Sequence, residues 1–289
     1  MDITADWIER SWPLTAVRVG ERFGESNAFA VNAHEGDFVL KIAGEWSARS
    51  DVDRATGIPA YLRAHGLACA PSIVHARTGA ECCACGQRLA YLMERVPGAT
   101  LPATPAGYRR LGEPAAALHA LTDYPGACPL SAEALRPDML AAAARYPFVD
   151  EYRALIESLP PLEPDGLPIG LIHPDLHPDH AIVRPDGTLV LVDWDECGTG
   201  PRVLDVGQPL ISTFLTEDLT FQRGEAEAFY SAYSSHITLT PEERALIFPA
   251  ALFYALWYLP FGPSAPARWR RIQDALRRRD ELLAVLPGA

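Results

Sequence analysis

The sequence predicts an α+β protein: an antiparallel β-sheet in its first third, followed by a mostly helical remainder. Three observations lead there. Short, alternating apolar runs dominate up to about residue 95, and apolar residues at helical spacing dominate afterwards. Strand character returns only around an acidic loop, between residues 170 and 192. Strands first and helices later is the order of an α+β chain. The expected division is 1–95 for the sheet-rich part and 96–289 for the helical part.

The elements follow in order. Thr15–Val19 reads as a strand, and the small-residue turn from Phe23 to Asn27 runs into a second strand ending at Val31. Glu35-Gly36-Asp37 turns the chain into Phe38-Val39-Leu40-Lys41-Ile42, an apolar strand that carries one cation. A lysine there either snorkels to solvent or meets an anion in a cleft. Residues 51–65 are helical, with Ala55, Ile58 and Leu62 on one stripe despite Gly57 and Pro59. Ser72–Arg77 and Gln87–Met93 suggest a hairpin around a turn that holds Cys82, Cys83 and Cys85, and Glu94–Gly98 changes the chain direction. Leu111, Ala115, Leu118 and His119 then share a helix face, as do Leu155, Ile156 and Leu159. Strands recur at 170–172, 181–183 and 188–192, and the chain from Phe221 onward is helical.

Composition excludes several classes. The formal net charge is −12, so the chain is no general nucleic-acid binder, because phosphate backbones are held by Lys and Arg. An acidic surface attracts cationic small molecules instead. Ala245–Leu259 is the longest apolar stretch, but it is shorter than the roughly 20 residues of a membrane span and contains Pro249. A buried helix is expected there. The acidic start, without a basic region before an apolar core, reads as a cytoplasmic protein. The cysteine spacing matches no usual zinc pattern, and reduced thiols are expected.

The most informative stretch is His173-Pro174-Asp175-Leu176-His177-Pro178-Asp179-His180, followed after an apolar run by Val192-Asp193-Trp194-Asp195. Such a set suits phosphoryl transfer from a metal-bound nucleotide. Asp175 is placed to take a proton from a substrate hydroxyl, with His180 and Asp193 as metal ligands.

This order of motifs resembles the aminoglycoside phosphotransferase and choline kinase family, small-molecule kinases with a protein-kinase-like fold. The similarity runs from about Val17 to the final helices. The family's loop usually reads His-Gly-Asp-Leu-His-Pro-Gly-Asn; here Pro174, Asp179 and His180 replace the two glycines and the asparagine. Val192–Glu196 looks like the family's metal-binding aspartate segment, Gly200–Gly207 like the structural turn after it, and Leu118-His119 like a further helix signature. The resemblance implies a two-lobed enzyme with a nucleotide-binding N-lobe and a catalytic, acceptor-binding C-lobe. It implies Asp175 as the catalytic carboxylate, with His173 fixing its loop. On the nucleotide side it implies Gly24, Ser26 and Asn27 over the phosphates and Lys41 on phosphate oxygens. Ala55 occupies the position of the helix acid that usually pairs with that lysine, and Asp51, one turn earlier, substitutes. The purine would meet the backbone of Glu94 to Val96, with Met93 nearby.

The cofactors so implied are ATP or GTP with Mg²⁺, or Mn²⁺, since imidazole offers a softer donor than the usual asparagine oxygen. The partner is a small-molecule hydroxyl acceptor of cationic character. The leading expectation is phosphorylation of an antibiotic such as an aminoglycoside or macrolide. The alternatives are a metabolic kinase acting on choline, homoserine or a sugar, and a kinase-like nucleotide-binding protein with weakened turnover.

Overall fold

The computed structural model describes residues 3–24, 27–45, 47–130, 132–162, 166–261 and 264–287, with 132–137 described by backbone alone. The chain divides into two compact units, Met1–Thr100 with Ala181–Asp195, and Leu101–His180 with Glu196–Ala289. A cut at residue 95 assigns 181–195 to the helical part by chain order, whereas this segment packs with the sheet.

The first unit begins with helix α1 (Ala5–Ser11), which the sequence reading did not anticipate. Thr4 caps it by accepting from the Trp7 N–H at 3.3 Å. Strands β1 (Arg18–Arg22), β2 (Ala28–Ala33) and β3 (Gly36–Ile42) follow, then helix α2 (Arg49–Ala64). Four more strands complete this stretch: β4 (Ile73–Val74), β5 (Cys82–Cys85), β6 (Arg88–Glu94) and β7 (Ala99–Thr100). The main sheet is antiparallel in the order β1-β2-β3-β6-β4, with β5 also on β6. Strand alternation sends Leu40 and Ile42 into a core with Trp7, Ile8, Trp12, Leu14, Val31 and Leu92. Lys41 therefore points to the opposite face, in register with Ala28 and Tyr91.

Two expectations change here. The first strand lies at Arg18–Arg22, three residues later than Thr15–Val19. The cysteines sit on a strand, not in a turn: Cys85 pairs with Arg88, and the two-residue loop is Gly86-Gln87, with Gly86 at φ 63°. A small second sheet, β7 with β9 (Ala181–Val183) and β10 (Leu189–Leu191), brings the later segment into this unit. Gly98 is required at that junction, since its φ is 146° and a Cβ would stand 2.1 Å from the Val183 carbonyl oxygen.

The second unit holds α3 (Pro105–His119), α4 (Ala132–Ala143), α5 (Val149–Ser158) and a two-stranded sheet of β8 (Ile169–Ile172) with β11 (Gly198–Pro201). Five helices complete it: α6 (Val203–Ser212), α7 (Arg223–Ser234), α8 (Pro241–Tyr258), α9 (Ala265–Arg277) and α10 (Arg279–Leu283). The segment Gly200–Gly207 is a strand end running into a helix, not a turn. Thr240 and Glu243 form a capping box at the start of α8, whose Ile247, Phe248, Ala250, Ala251 and Phe253 are buried, as expected of its apolar run. Among the described residues no helix is long and apolar enough to cross a membrane.

Trp12 is fully buried, its ring lies edge-on to Trp7 at 5.4 Å, and its Nε1 donates to the Val74 carbonyl at 3.1 Å. Trp12→Ala is expected to destabilise the protein by about 3–5 kcal/mol. Denaturant unfolding measures this, and a loss near zero would mean that the N-terminal helix is not part of the core.

Candidate active site

In the first unit the Lys41 side chain is 11% exposed, and its Nζ donates to Asp193 Oδ1 at 2.6 Å and meets Asp195 Oδ2 at 2.8 Å. The lysine is thus buried in a double ion pair and does not snorkel. Burial opposes its charge, but the two carboxylates outweigh burial and hold its pKa well above the ordinary lysine value. Asp195 is itself fixed, with Oδ1 accepting from the Tyr91 hydroxyl at 2.5 Å and its carbonyl accepting from Arg54 Nη2 at 2.7 Å. Asp193 adopts φ 67°, a left-handed conformation that aspartate tolerates better than most residues. The expected pairing of Lys41 with Asp51 is corrected here. Asp51 caps its own helix by accepting the Ala48 N–H at 2.8 Å, and the acids that meet Lys41 come from 193 and 195.

The remaining nucleotide-side residues are also placed. Gly24 takes φ 54° in the turn before β2, Asn27 Oδ1 accepts from Arg22 at 3.4 Å, and Ser26 lies outside the described residues. Met93 pairs with Val39 and Ile73 inside the sheet. The amides of Glu94 and Arg95 donate to the carbonyls of Ser72 and Asp37, so these two N–H groups belong to the sheet. The Glu94 carboxylate holds Arg184 at 2.7 Å, and Val96 is buried.

The second unit contains the loop His173–His180. The loop is anchored from beneath by a buried carboxylate, Asp205. Its Oδ2 accepts the His173 backbone N–H at 2.6 Å and meets His119 Nε2 at 3.0 Å, while His119 Nδ1 meets the Tyr233 hydroxyl at 2.9 Å. Gly170 lets β8 run directly against α3, since a Cβ there would lie 2.5 Å from the His119 carbonyl oxygen. His173 is fully buried, which suits fixing the loop rather than touching a substrate.

Asp175 stands at the loop's open side. Oδ1 accepts from the Tyr254 hydroxyl at 3.0 Å and has His177 Nε2 at 3.6 Å, and Oδ2 has His180 Nδ1 at 3.3 Å. Burial alone would raise its pKa. The hydrogen bond from His177, the charges of His180 and His177 and the hydrogen bond from Tyr254 outweigh burial and hold the carboxyl well below the usual range. His180 Nδ1 also lies 2.9 Å from the Asp175 carbonyl oxygen. A carbonyl only accepts, so Nδ1 is the donor in this contact. Asp179, in place of the usual glycine, does not adopt a positive φ, so this turn accommodates a side chain.

Among known proteins, residues 19–246 match the phosphotransferase enzyme family. The chain belongs to that family. It is 29% identical over 233 residues to a homoserine kinase of Rhodopseudomonas palustris (strain BisB5), covering 77% of this chain and 71% of that one. Two solved structures share the protein-kinase-like fold. A microcompartment-associated aminopropanol kinase is 18% identical with a TM-score of 0.69, covering 97% of this chain and 98% of that one. An aminoglycoside phosphotransferase from Alicyclobacillus acidocaldarius is 16% identical with a TM-score of 0.66, covering 99% and 95%.

The phosphotransferase has functional candidates that the sequence reading did not assign. Tyr254 holds Asp175, Tyr91 and Arg54 hold Asp195, and Asp205 carries the loop. Glu196, adjacent to Asp195, is bonded to the Tyr258 hydroxyl. Of these residues Asp205 and Glu196 lie in recognisable segments, and the neighbours of Asp205 in space are distant in sequence. Removing it strands a buried imidazole and a buried backbone N–H. Asp205→Ala is therefore expected to cost about 3 kcal/mol, read from the denaturation midpoint. Full retention of stability would show that the loop is anchored elsewhere.

Proposed function

We propose that this phosphotransferase is a metabolic small-molecule kinase that moves the terminal phosphate of ATP or GTP to the hydroxyl of a small amino alcohol or hydroxy amino acid, homoserine first among them. The observation that carries the reading is a pocket of about 340 Å³ in the second unit, lined by Asp175, His177, Tyr108, Gln208, Ser212 and Tyr254 among others. That volume lies at the small end of the roughly 300–1,000 Å³ typical of ligand pockets, which favours a compact acceptor over a multi-ring antibiotic. The homoserine kinase relatives support the same choice, which was the alternative expectation rather than the leading one.

In this reading Asp175 receives the acceptor hydroxyl. A carboxylate held so far below its usual pKa is a poor base in the ground state, so its work is to accept the hydroxyl's hydrogen bond and aim the oxygen. This suits a loose phosphoryl-transfer transition state, in which alignment and charge stabilisation dominate. Lys41 is assigned to phosphate oxygens, where its ammonium adds positive charge. Asp193 is assigned to the divalent cation that accompanies the nucleotide, and His180 Nε2 is a nitrogen donor for such a cation, Mg²⁺ or Mn²⁺. Each is a donor type that either ion takes, with the imidazole nitrogen favouring Mn²⁺. When bound, the cation offsets phosphate charge.

Three experiments test this. Turnover is measured with ATP and GTP against homoserine, small amino alcohols, choline, sugars, aminoglycosides and macrolides. Homoserine or a small amino alcohol is expected to exceed every antibiotic in kcat/KM, and the reverse order would sink the metabolic reading. In the same assay Asp175→Asn is expected to lower kcat by about 10² to 10⁴-fold with nucleotide binding retained. Asp195→Asn removes one of the two carboxylates on Lys41, and is expected to raise the nucleotide KM about tenfold with the acceptor KM unchanged. An unaltered nucleotide KM would detach Asp195 from the work of Lys41.

A further inference from the structure

Helix α6 presents Gln208 and Ser212, four residues apart and so on one helix face, to the pocket that Asp175 and Tyr254 also line. Phosphoryl transfer gives neither residue a task. Gln208 is 2% exposed, and the Ser212 Oγ is buried without a hydrogen-bond partner. A helical serine ordinarily returns its hydroxyl to the carbonyl four residues earlier. Leaving a buried hydroxyl unbonded is costly, and such groups persist where a ligand completes them.

The pocket's charge says which ligand group fits. Its described lining includes Asp175 and Asp179 and neither lysine nor arginine. The two phenols there stay neutral donors: burial pushes Tyr108 up to about 12 and Tyr254 well above its ordinary value. His177 is the remaining ionisable group, and it faces both Asp175 and Asp179. An ammonium is attracted by such a wall, and a carboxylate is not. The amide oxygen of Gln208 and the Oγ of Ser212 are acceptors for its N–H donors.

We propose that Gln208 and Ser212 recognise the amino group of the acceptor whose hydroxyl sits at Asp175, so that the substrate class is small primary amino alcohols, with or without a carboxylate. This rests on the small-molecule kinase reading above.

The test uses three acceptors that differ by one group each: homoserine, 3-aminopropan-1-ol, which lacks its carboxylate, and 4-hydroxybutyrate, which lacks its amine. The wild-type enzyme is expected to phosphorylate the first two and to use 4-hydroxybutyrate at least a hundredfold less well in kcat/KM. Gln208→Leu and Ser212→Ala are each expected to raise KM for the two amines about ten- to hundredfold, with the nucleotide KM unchanged. Ser212→Ala has a second readout. Because its hydroxyl has no bond to lose, the melting temperature of the ligand-free protein should hold or rise, while the added stabilisation by 3-aminopropan-1-ol falls. Turnover of the amines with unshifted KM in both variants, or 4-hydroxybutyrate used as well as homoserine, overturns the amino-group site while leaving the kinase reading intact. No turnover of any of the three by the wild-type enzyme overturns the kinase reading and the site with it.

Discussion

A lysine ammonium inside a β-sheet is the constraint on which the first unit is built. An unpaired buried cation costs several kcal/mol, so Lys41 requires anions at its tip. Its own stretch of chain supplies none: Asp51 is committed to its helix cap, and Ala55 carries no charge. The acids come from Asp193 and Asp195, at the end of the segment that returns to this unit through β9 and β10. The discontinuous first unit follows from that need. The left-handed turn at Asp193 lets two carboxylates, two residues apart, meet one ammonium, and Tyr91 and Arg54 hold the second in place.

The second unit solves a related problem with a carboxylate. Asp205 is buried and accepts from His119 and from the His173 backbone, which fixes where the loop leaves β8. Asp175 can then stand half-exposed at the loop's open side while His177, His180 and Tyr254 keep it ionised. The two carboxylates thus do different work because their surroundings differ: one is buried, with two donors on Oδ2, and carries structure, while the other faces a pocket with capacity left to accept.

What the sequence made legible follows from where the physical signal is local. The α+β order, the buried α8 run, and the Asp175 and Asp193 segments are each written in contiguous residues. Helix α1 is hard to see in sequence because its buried apolar residues, Trp7 and Ile8, are few, although Thr4 is a proper cap. The strand Cys82–Cys85 looks like a turn in sequence because small thiols crowd beside Gly86, although its hairpin with β6 is local. The partner of Lys41 is hidden for a different reason, since a helix neighbour is visible in sequence and a residue 152 positions later is not.

The acceptor was the least legible feature, and the reason is geometric. The pocket draws Tyr108 from α3, Asp175 and His177 from the loop, Gln208 and Ser212 from α6, and Tyr254 from α8. Apart from Asp175 and His177 these groups form no motif, and a glutamine and a serine in an apolar helix read as ordinary variation. Only burial without a partner gives Ser212 meaning, and burial belongs to the folded chain. Chemistry common to all phosphotransfer, the charge on phosphate and the aim of a hydroxyl, is carried by short, recognisable segments. In the proposed reading acceptor choice is carried by what three helices present to one cavity, so closely similar loops can serve different acceptors, and sequence points to the reaction sooner than to its substrate.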